Sequence, residues 1–168
     1  MDEISRHTED KEMFRPAMAN RSLQSCTVIP VLIYDDVADA IEWLCRTFGF
    51  TERLRAGKHH AQLTIGDGAI MLSDSRSGQE FDSPDDAEFL SPRSKEVKHE
   101  ILVNVKDVNK HYKNAHSRGA RILRKPKDCM FGERQYTVED LGGHRWTFSQ
   151  TIADVDPKEW GAIKARTE

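Results

Sequence analysis

His59 and His60, His99 and Glu100, and His144 and Arg145 are adjacent pairs along this chain whose side chains could carry a proton, hold a metal ion or grip an anion. Imidazole titrates near neutral pH and is the commonest nitrogen donor to metals, while a guanidinium holds carboxylates through paired hydrogen bonds. None of these pairs belongs to a His-Glu-x-x-His helix pattern. The sequence also has no Gly-x-Ser-x-Gly elbow, no glycine-rich phosphate loop and no Cys-x-x-Cys pair. Nucleophilic and redox chemistry therefore lack a local signature. What remains is a set of polar side chains that must be gathered by strands.

The stretch Glu133 to Gln150 shows how. Before an Asp-Leu-Gly-Gly turn, Tyr136 and Val138 share one face while Gln135, Thr137 and Glu139 share the other; after it, Trp146 and Phe148 oppose Arg145, Thr147 and Ser149. This is a β-hairpin with one apolar and one polar face, and the polar row either meets solvent or lines a cavity.

Upstream, Cys26 to Ile33 is apolar and β-branched, with Pro30 marking a sheet edge or a bulge. Asp35 or Asp36 can cap the helix that follows, whose apolar stripe of Val37, Ala40, Ile41, Leu44, Cys45 and Phe48 ends at Gly49. Three short strands come next: Thr51 to Arg55, His59 to Ile65 with His60, Gln62 and Thr64 on its polar side, and Ala69 to Ser73. After a polar linker the order returns. His99 to Val105 alternates with Glu100, Leu102 and Asn104 on one side, Asp107 caps a helix carrying Val108, Tyr112 and Ala115, Gly119 ends it, and Ala120 to Arg124 begins a strand. The β-α-β-β-β order thus occurs twice at a period of about 70 residues.

The chain divides accordingly into a flexible N-terminal extension (1–25), one domain (26–152) made of modules 26–74 and 98–150 joined by the linker 75–97, and a C-terminal tail (153–168). Each module offers a sheet with a helix on one face. Set side by side, the two would pack their helices outside and enclose a concave cleft between the sheets.

Composition narrows the partners. The 168 residues carry 25 basic and 28 acidic side chains mixed along the chain, net charge −3, so there is no basic stripe for nucleic acid. No apolar run approaches the roughly 20 residues that span a bilayer, and the first 25 residues lack the apolar core of a signal peptide. The three cysteines, Cys26, Cys45 and Cys129, are too scattered for a disulfide framework, which points to the cytoplasm.

The stretches IPVLIYDDVADAIEWLCRTFGF, IGDGAIMLSD and VEDLGGHRWTF resemble the vicinal oxygen chelate superfamily, which holds glyoxalase I, bleomycin-resistance proteins and extradiol dioxygenases. The resemblance spans about Cys26 to Ile152. It implies an α+β fold of tandem βαβββ modules forming a curved mixed sheet around a cleft, and a homodimer. Metal enzymes of this superfamily take their ligands from the first and last strands of each module, and the matching positions here are Ile29, Met71 or Leu72, Glu100 and Thr147. Only Glu100 is a normal ligand.

The resemblance therefore implies a protein that holds a small organic molecule in its cleft without a metal cofactor. The alternative is a lyase, isomerase or dioxygenase in which a divalent metal is rescued by His60, His99 or His144 beside Glu100. The expected cleft residues are Ile29, His60, Gln62, Leu72, Glu100, Asn104, Arg145 and Thr147, with Phe131 as an aromatic wall at the mouth. Arg145 shares a face with Thr147 and is expected to ion-pair with Glu100, filling the place where relatives keep a metal.

Overall fold

In the computed structural model, residues 21–22, 26–74 and 99–162 are described. Each half follows the expected order. The first comprises β1 (Val31–Tyr34), α1 (Val37–Phe48), β2 (Thr51–Ala56), β3 (His60–Ile65) and β4 (Gly68–Asp74). The second comprises β5 (Glu100–Asn104), α2 (Val108–Ser117), β6 (Arg121–Cys129), β7 (Glu133–Glu139) and β8 (Arg145–Thr151). The strands form two four-stranded sheets, β1-β4-β3-β2 and β5-β8-β7-β6, in which β1 pairs with β4 and β5 with β8 in parallel and the remaining pairs are antiparallel. The proposed linker 75–97 lies outside the described residues, as does most of the N-terminal extension.

Local chemistry explains the boundaries. The Asp36 carboxylate accepts the Asp39 N–H at 3.0 Å and Asp107 accepts that of Lys110 at 2.9 Å, so both helices start where a side chain answers an orphan donor. Helix α1 stops at Gly49, whose φ of 86° closes a left-handed cap. The first strand is shorter than the apolar run that announces it, because Pro30 has no N–H to donate and enters the sheet only through its carbonyl, which accepts from Met71 at 2.9 Å. Strand β6 runs further than expected, through Pro126. It is an edge strand with register shifts near Arg124 and Lys127, and an edge tolerates proline. The tail forms a short 3-10 turn, Pro157–Trp160.

The halves do not meet as the periodicity suggested. The helices are not separated; α1 and α2 touch, and the helix-covered faces of both sheets contribute to one core. The reason lies in α2, which buries only Val108 and Ala115. These small side chains cannot cover Trp146 and Phe148, so Phe48 at the end of α1 packs on both, at ring-centroid distances of 5.6 and 4.9 Å, and Phe50 reaches Trp146 at 5.6 Å. Polar latches accompany the aromatics. The Asn114 amide donates to the Thr47 carbonyl at 2.9 Å, and His111 contacts the Phe48 carbonyl through Nε2 at 2.9 Å and the Tyr136 hydroxyl through Nδ1 at 2.6 Å. Burial holds the His111 imidazole below its ordinary pKa, against the pull of the Phe48 carbonyl. A neutral ring satisfies both contacts, donating from Nε2 and accepting at Nδ1.

A second latch joins β1 to the hairpin turn. The buried Asp140 carboxylate accepts from the Tyr34 hydroxyl at 2.7 Å and from the Trp146 indole at 2.9 Å through one oxygen, and from the backbone N–H groups of Gly142 and His144, each at 2.9 Å, through the other. Burial, reinforced by this carboxylate, pushes the Tyr34 hydroxyl pKa strongly up. His144 Nε2 meets the Ile33 carbonyl at 2.9 Å, so the turn is tied to the first strand by two side chains.

Candidate functional site: the polar sheet faces and the slot between the halves

With the helix-covered faces turned inward on one core, the faces opposite the helices are where a ligand can approach. Strand register decides which residues they present. In the first half, Val31 pairs with Met71 and Ile33 with Ser73, while Met71 and Ser73 sit opposite Gln62 and His60 on β3. In the second, Leu102 pairs with Thr147, Asn104 with Ser149 and Glu100 with Arg145, and Thr147 and Ser149 sit opposite Thr137 and Gln135. The two halves match under this registration: Val31 and Met71 correspond to Leu102 and Thr147, and Ile29, two residues before Val31, corresponds to Glu100.

The registration settles the choice between Met71 and Leu72. Leu72 pairs with Leu32 and is fully buried in the core, on the helix side, so it is not a cleft residue; Met71 is the one on the polar face. A one-residue slip along a strand exchanges faces, and the sequence left that slip open.

The other expected residues divide into three groups. Gln62 and His60 lie together on the first polar face, His60 with Nδ1 3.3 Å from the Ser73 hydroxyl. Thr147 is buried at the centre of the second face, where its hydroxyl is engaged with that of Thr137 at 2.8 Å. Glu100, Asn104 and Arg145 are exposed along the same face. The expected Glu100–Arg145 ion pair is not among the salt bridges of the described residues. Arg145 also faces Glu139 across β7, but that carboxylate is bound by Arg121 at 2.8 Å. Phe131 stands in the β6–β7 turn with its ring 5.7 Å from Trp160, so its aromatic partner is the tail. His99, on the opposite parity from Glu100, turns its ring toward His144 at 6.0 Å.

Sequence reasoning missed a network beside Thr147. The Glu133 carboxylate accepts from the Ser149 hydroxyl at 2.5 Å and the Gln135 amide at 2.8 Å, and the Cys129 thiol lies 3.8 Å from the Gln135 carbonyl. The signal was present, since Gln135 and Ser149 were already on the polar side of the hairpin. It also missed Arg53. A β-bulge between Glu52 and Leu54 breaks the alternation of β2, and Arg53 hydrogen-bonds the Gln62 carbonyl on the polar face.

Between the halves, the outer edge of β5 looks across a cavity of about 310 Å³ at the segment before β1 and the β3–β4 turn. Its walls include Val28, Pro30, Phe50, Ile70, Leu102 and Asn104. This is a slot of mixed polarity, with Asp67 and Asn104 among its apolar walls, at the small end of the range that holds organic ligands.

Two parallel-registered halves of this order, each with a helix behind its sheet, agree with the match of the sequence model for the Glyoxalase/Bleomycin resistance protein/Dioxygenase superfamily over residues 24–148. The chain belongs to this superfamily. Among relatives, an uncharacterised protein of Mycobacterium bovis is 30% identical over 138 residues, covering 77% of this chain and 86% of its own, and an uncharacterised protein of Mycobacterium tuberculosis is equally similar over 77% of each chain. Among solved structures, TioX from Micromonospora sp. ML1 is 31% identical with a TM-score of 0.58, covering 77% of this chain and 98% of its own. A glyoxalase/bleomycin resistance protein/dioxygenase family enzyme from Burkholderia phytofirmans PsJN, at 16% identity and TM-score 0.62 over 73% of this chain and 95% of its own, shares the fold.

The resemblance matches Ile29, Met71, Glu100 and Thr147 to the positions from which metal-dependent members of this superfamily draw their oxygen and nitrogen donors. Of these four side chains only Glu100 is a usual ligand for a divalent ion. Ile29 offers hydrocarbon, Met71 a thioether, and Thr147 a neutral hydroxyl that is hydrogen-bonded to Thr137. One carboxylate is left where three or four donors are needed. His60 and His99 do not supplement it in one chain, and among the described residues no three His, Cys, Asp or Glu side chains gather around a point.

Proposed function

We propose that this superfamily member is a metal-free binding protein of the bleomycin-resistance type, which holds a small organic molecule against its polar sheet faces and the slot between its halves. The observation that carries the reading is the chemistry of the four ligand-equivalent positions. Two apolar side chains, Ile29 and Met71, and the hydrogen-bonded hydroxyl of Thr147 stand where metal donors would, a replacement that suits contact with an organic surface better than with an ion. Pairing halves from two copies would not change this, because the same four side chains would meet. The slot supplies apolar area, Asn104 an orienting amide and Asp67 a charged group, while Glu100 and Arg145 are register partners on the second polar face.

A thermal-shift screen of small organic molecules tests the proposal. Compounds that raise the melting temperature of the wild-type protein by several degrees should not do so in Leu102→Trp, whose indole fills the slot. A screen in which every stabilising compound acts equally on both proteins contradicts slot binding.

We also propose that the molecule works as a homodimer. Val28, Val31 and Leu102 leave apolar side chains exposed along β5, β1 and the segment before β1. A second copy would cover these side chains and bring a polar face of its own to the site. Sedimentation at micromolar concentration is expected to give twice the mass of the chain, and a monomer under those conditions rejects the proposal. No described helix is long and apolar enough to cross a membrane, and the free cysteines Cys26, Cys45 and Cys129 suit a reducing cytoplasm.

A further inference from the structure

The bulge in β2 does more than interrupt a ladder. Glu52 pairs with Leu63 and Leu54 with Gln62, so Arg53 is the extra residue, and its guanidinium is carried onto the polar face, where it donates to the Gln62 side-chain carbonyl. That bond orients both groups. The Gln62 carbonyl is occupied, which turns its NH₂ outward, and the other terminal nitrogen of the guanidinium reaches beyond Gln62. Gln62 is only 9% exposed, so the pair is seated in the face and not scattered over it.

Both outward donors are answered by the chain itself. Arg53 Nη2 donates to the Arg21 carbonyl at 2.8 Å, and Gln62 Nε2 donates to the Ser22 carbonyl at 2.8 Å. In an extended chain successive carbonyls point to opposite sides, so one pair of neighbouring donors could not read both. Residues 21 and 22 form a turn, which brings the two oxygens to one side.

We propose that Arg53 and Gln62 form a subsite that reads two carbonyl or carboxylate oxygens converging from one side, and that the turn at Arg21–Ser22 is its resident occupant, a strap across the first polar face. The inference rests on the reading of that face as a ligand surface. It adds that a ligand must displace the strap to use the subsite, and that an entering molecule should carry the same acceptor chemistry, as a bent peptide or an acyl compound with two neighbouring oxygens does.

Trypsin provides the test, because the Arg21–Ser22 bond is itself a tryptic site whose carbonyl is held by Arg53. In full-length protein the appearance of the fragment ending at Arg21 is followed by mass spectrometry. Releasing either carbonyl should expose the bond, so Arg53→Ala and Gln62→Ala should each speed this cleavage about tenfold, the factor expected from loss of one or two hydrogen bonds of ordinary strength. Glu52→Gln, one residue away but on the other side of the bulge, should leave the rate unchanged. Melting temperatures of the three variants verify that only the local opening has changed. Equal cleavage in all four proteins overturns the strap, as does acceleration in the Glu52 variant as large as in the other two. This readout needs no ligand, so its failure leaves the slot screen standing, and failure of that screen leaves the strap standing.

Discussion

Replacing Asp140 by Ala is expected to cost at least about 3 kcal/mol of unfolding free energy, among the largest losses that a single polar side chain in this molecule can produce. Its carboxylate closes the hairpin turn through two backbone N–H groups and joins that turn to the first half through the Tyr34 hydroxyl and the Trp146 indole. Removal strands four donors, of which at least the indole and the hydroxyl lie in the core. Asparagine is not a remedy. Its NH₂ must face either the two backbone donors or the hydroxyl and indole, and of these four groups only the hydroxyl can turn to accept. Asp140→Asn should therefore cost about 2 kcal/mol, and combining it with Tyr34→Phe should cost less than the sum of the two single changes. Urea unfolding of the wild type and the four variants measures this; a loss below about 1 kcal/mol for Asp140→Ala would show that the latch does not hold the halves.

Phe48→Ala is expected to cost about 3–5 kcal/mol, the range for emptying an aromatic site in a packed core. Phe48 is 1% exposed and sits among Trp43, Trp146, Phe148 and the His111 ring. Three of those four belong to the second half, so the cavity opens where α1 covers β8. Phe48→Leu keeps most of the volume and should cost about 1–1.5 kcal/mol. If the halves were independent, Phe48→Ala would destabilise only the first, and hydrogen exchange along β8 would be unaffected. A shared core predicts instead that protection falls in both halves together.

That shared core was the least legible part of the sequence. Periodicity identifies which side of α1 and which side of β8 are apolar, and the structure agrees for Ile41, Leu44, Trp146 and Phe148. It does not say what will cover them. The clue lay in the poverty of α2, where Tyr112 stands on the apolar side but only Val108 and Ala115 are buried, too little for two aromatic rings on the strand below. The caps at Asp36 and Asp107, the glycine stop at Gly49 and the double β-α-β-β-β order were readable because each depends on residues a few positions apart. Arg53 was not, since a bulge inserts one residue into an alternation and nothing in Glu-Arg-Leu-Arg marks where. Leu72 was named in place of its neighbour Met71 for a related reason, because counting back from a turn fixes a strand to within a residue and its faces change with every residue. Glu100 and Arg145 are register partners, as the strand pattern suggested, yet the cross-strand competition of Arg121 for Glu139 is visible only once β6 and β7 are paired.

The claim that this member of the superfamily works without a metal stands on Ile29, Met71 and Thr147 and is tested most directly by elemental analysis. Protein purified without chelators or a metal-affinity tag, and then offered zinc, nickel or iron(II) before extensive dialysis, is expected to retain far less than one ion per chain. Glu100→Gln should not change that content. Retention of one ion per chain, lost on the Glu100→Gln change, would contradict the account and place the protein with the metal-dependent enzymes of its fold.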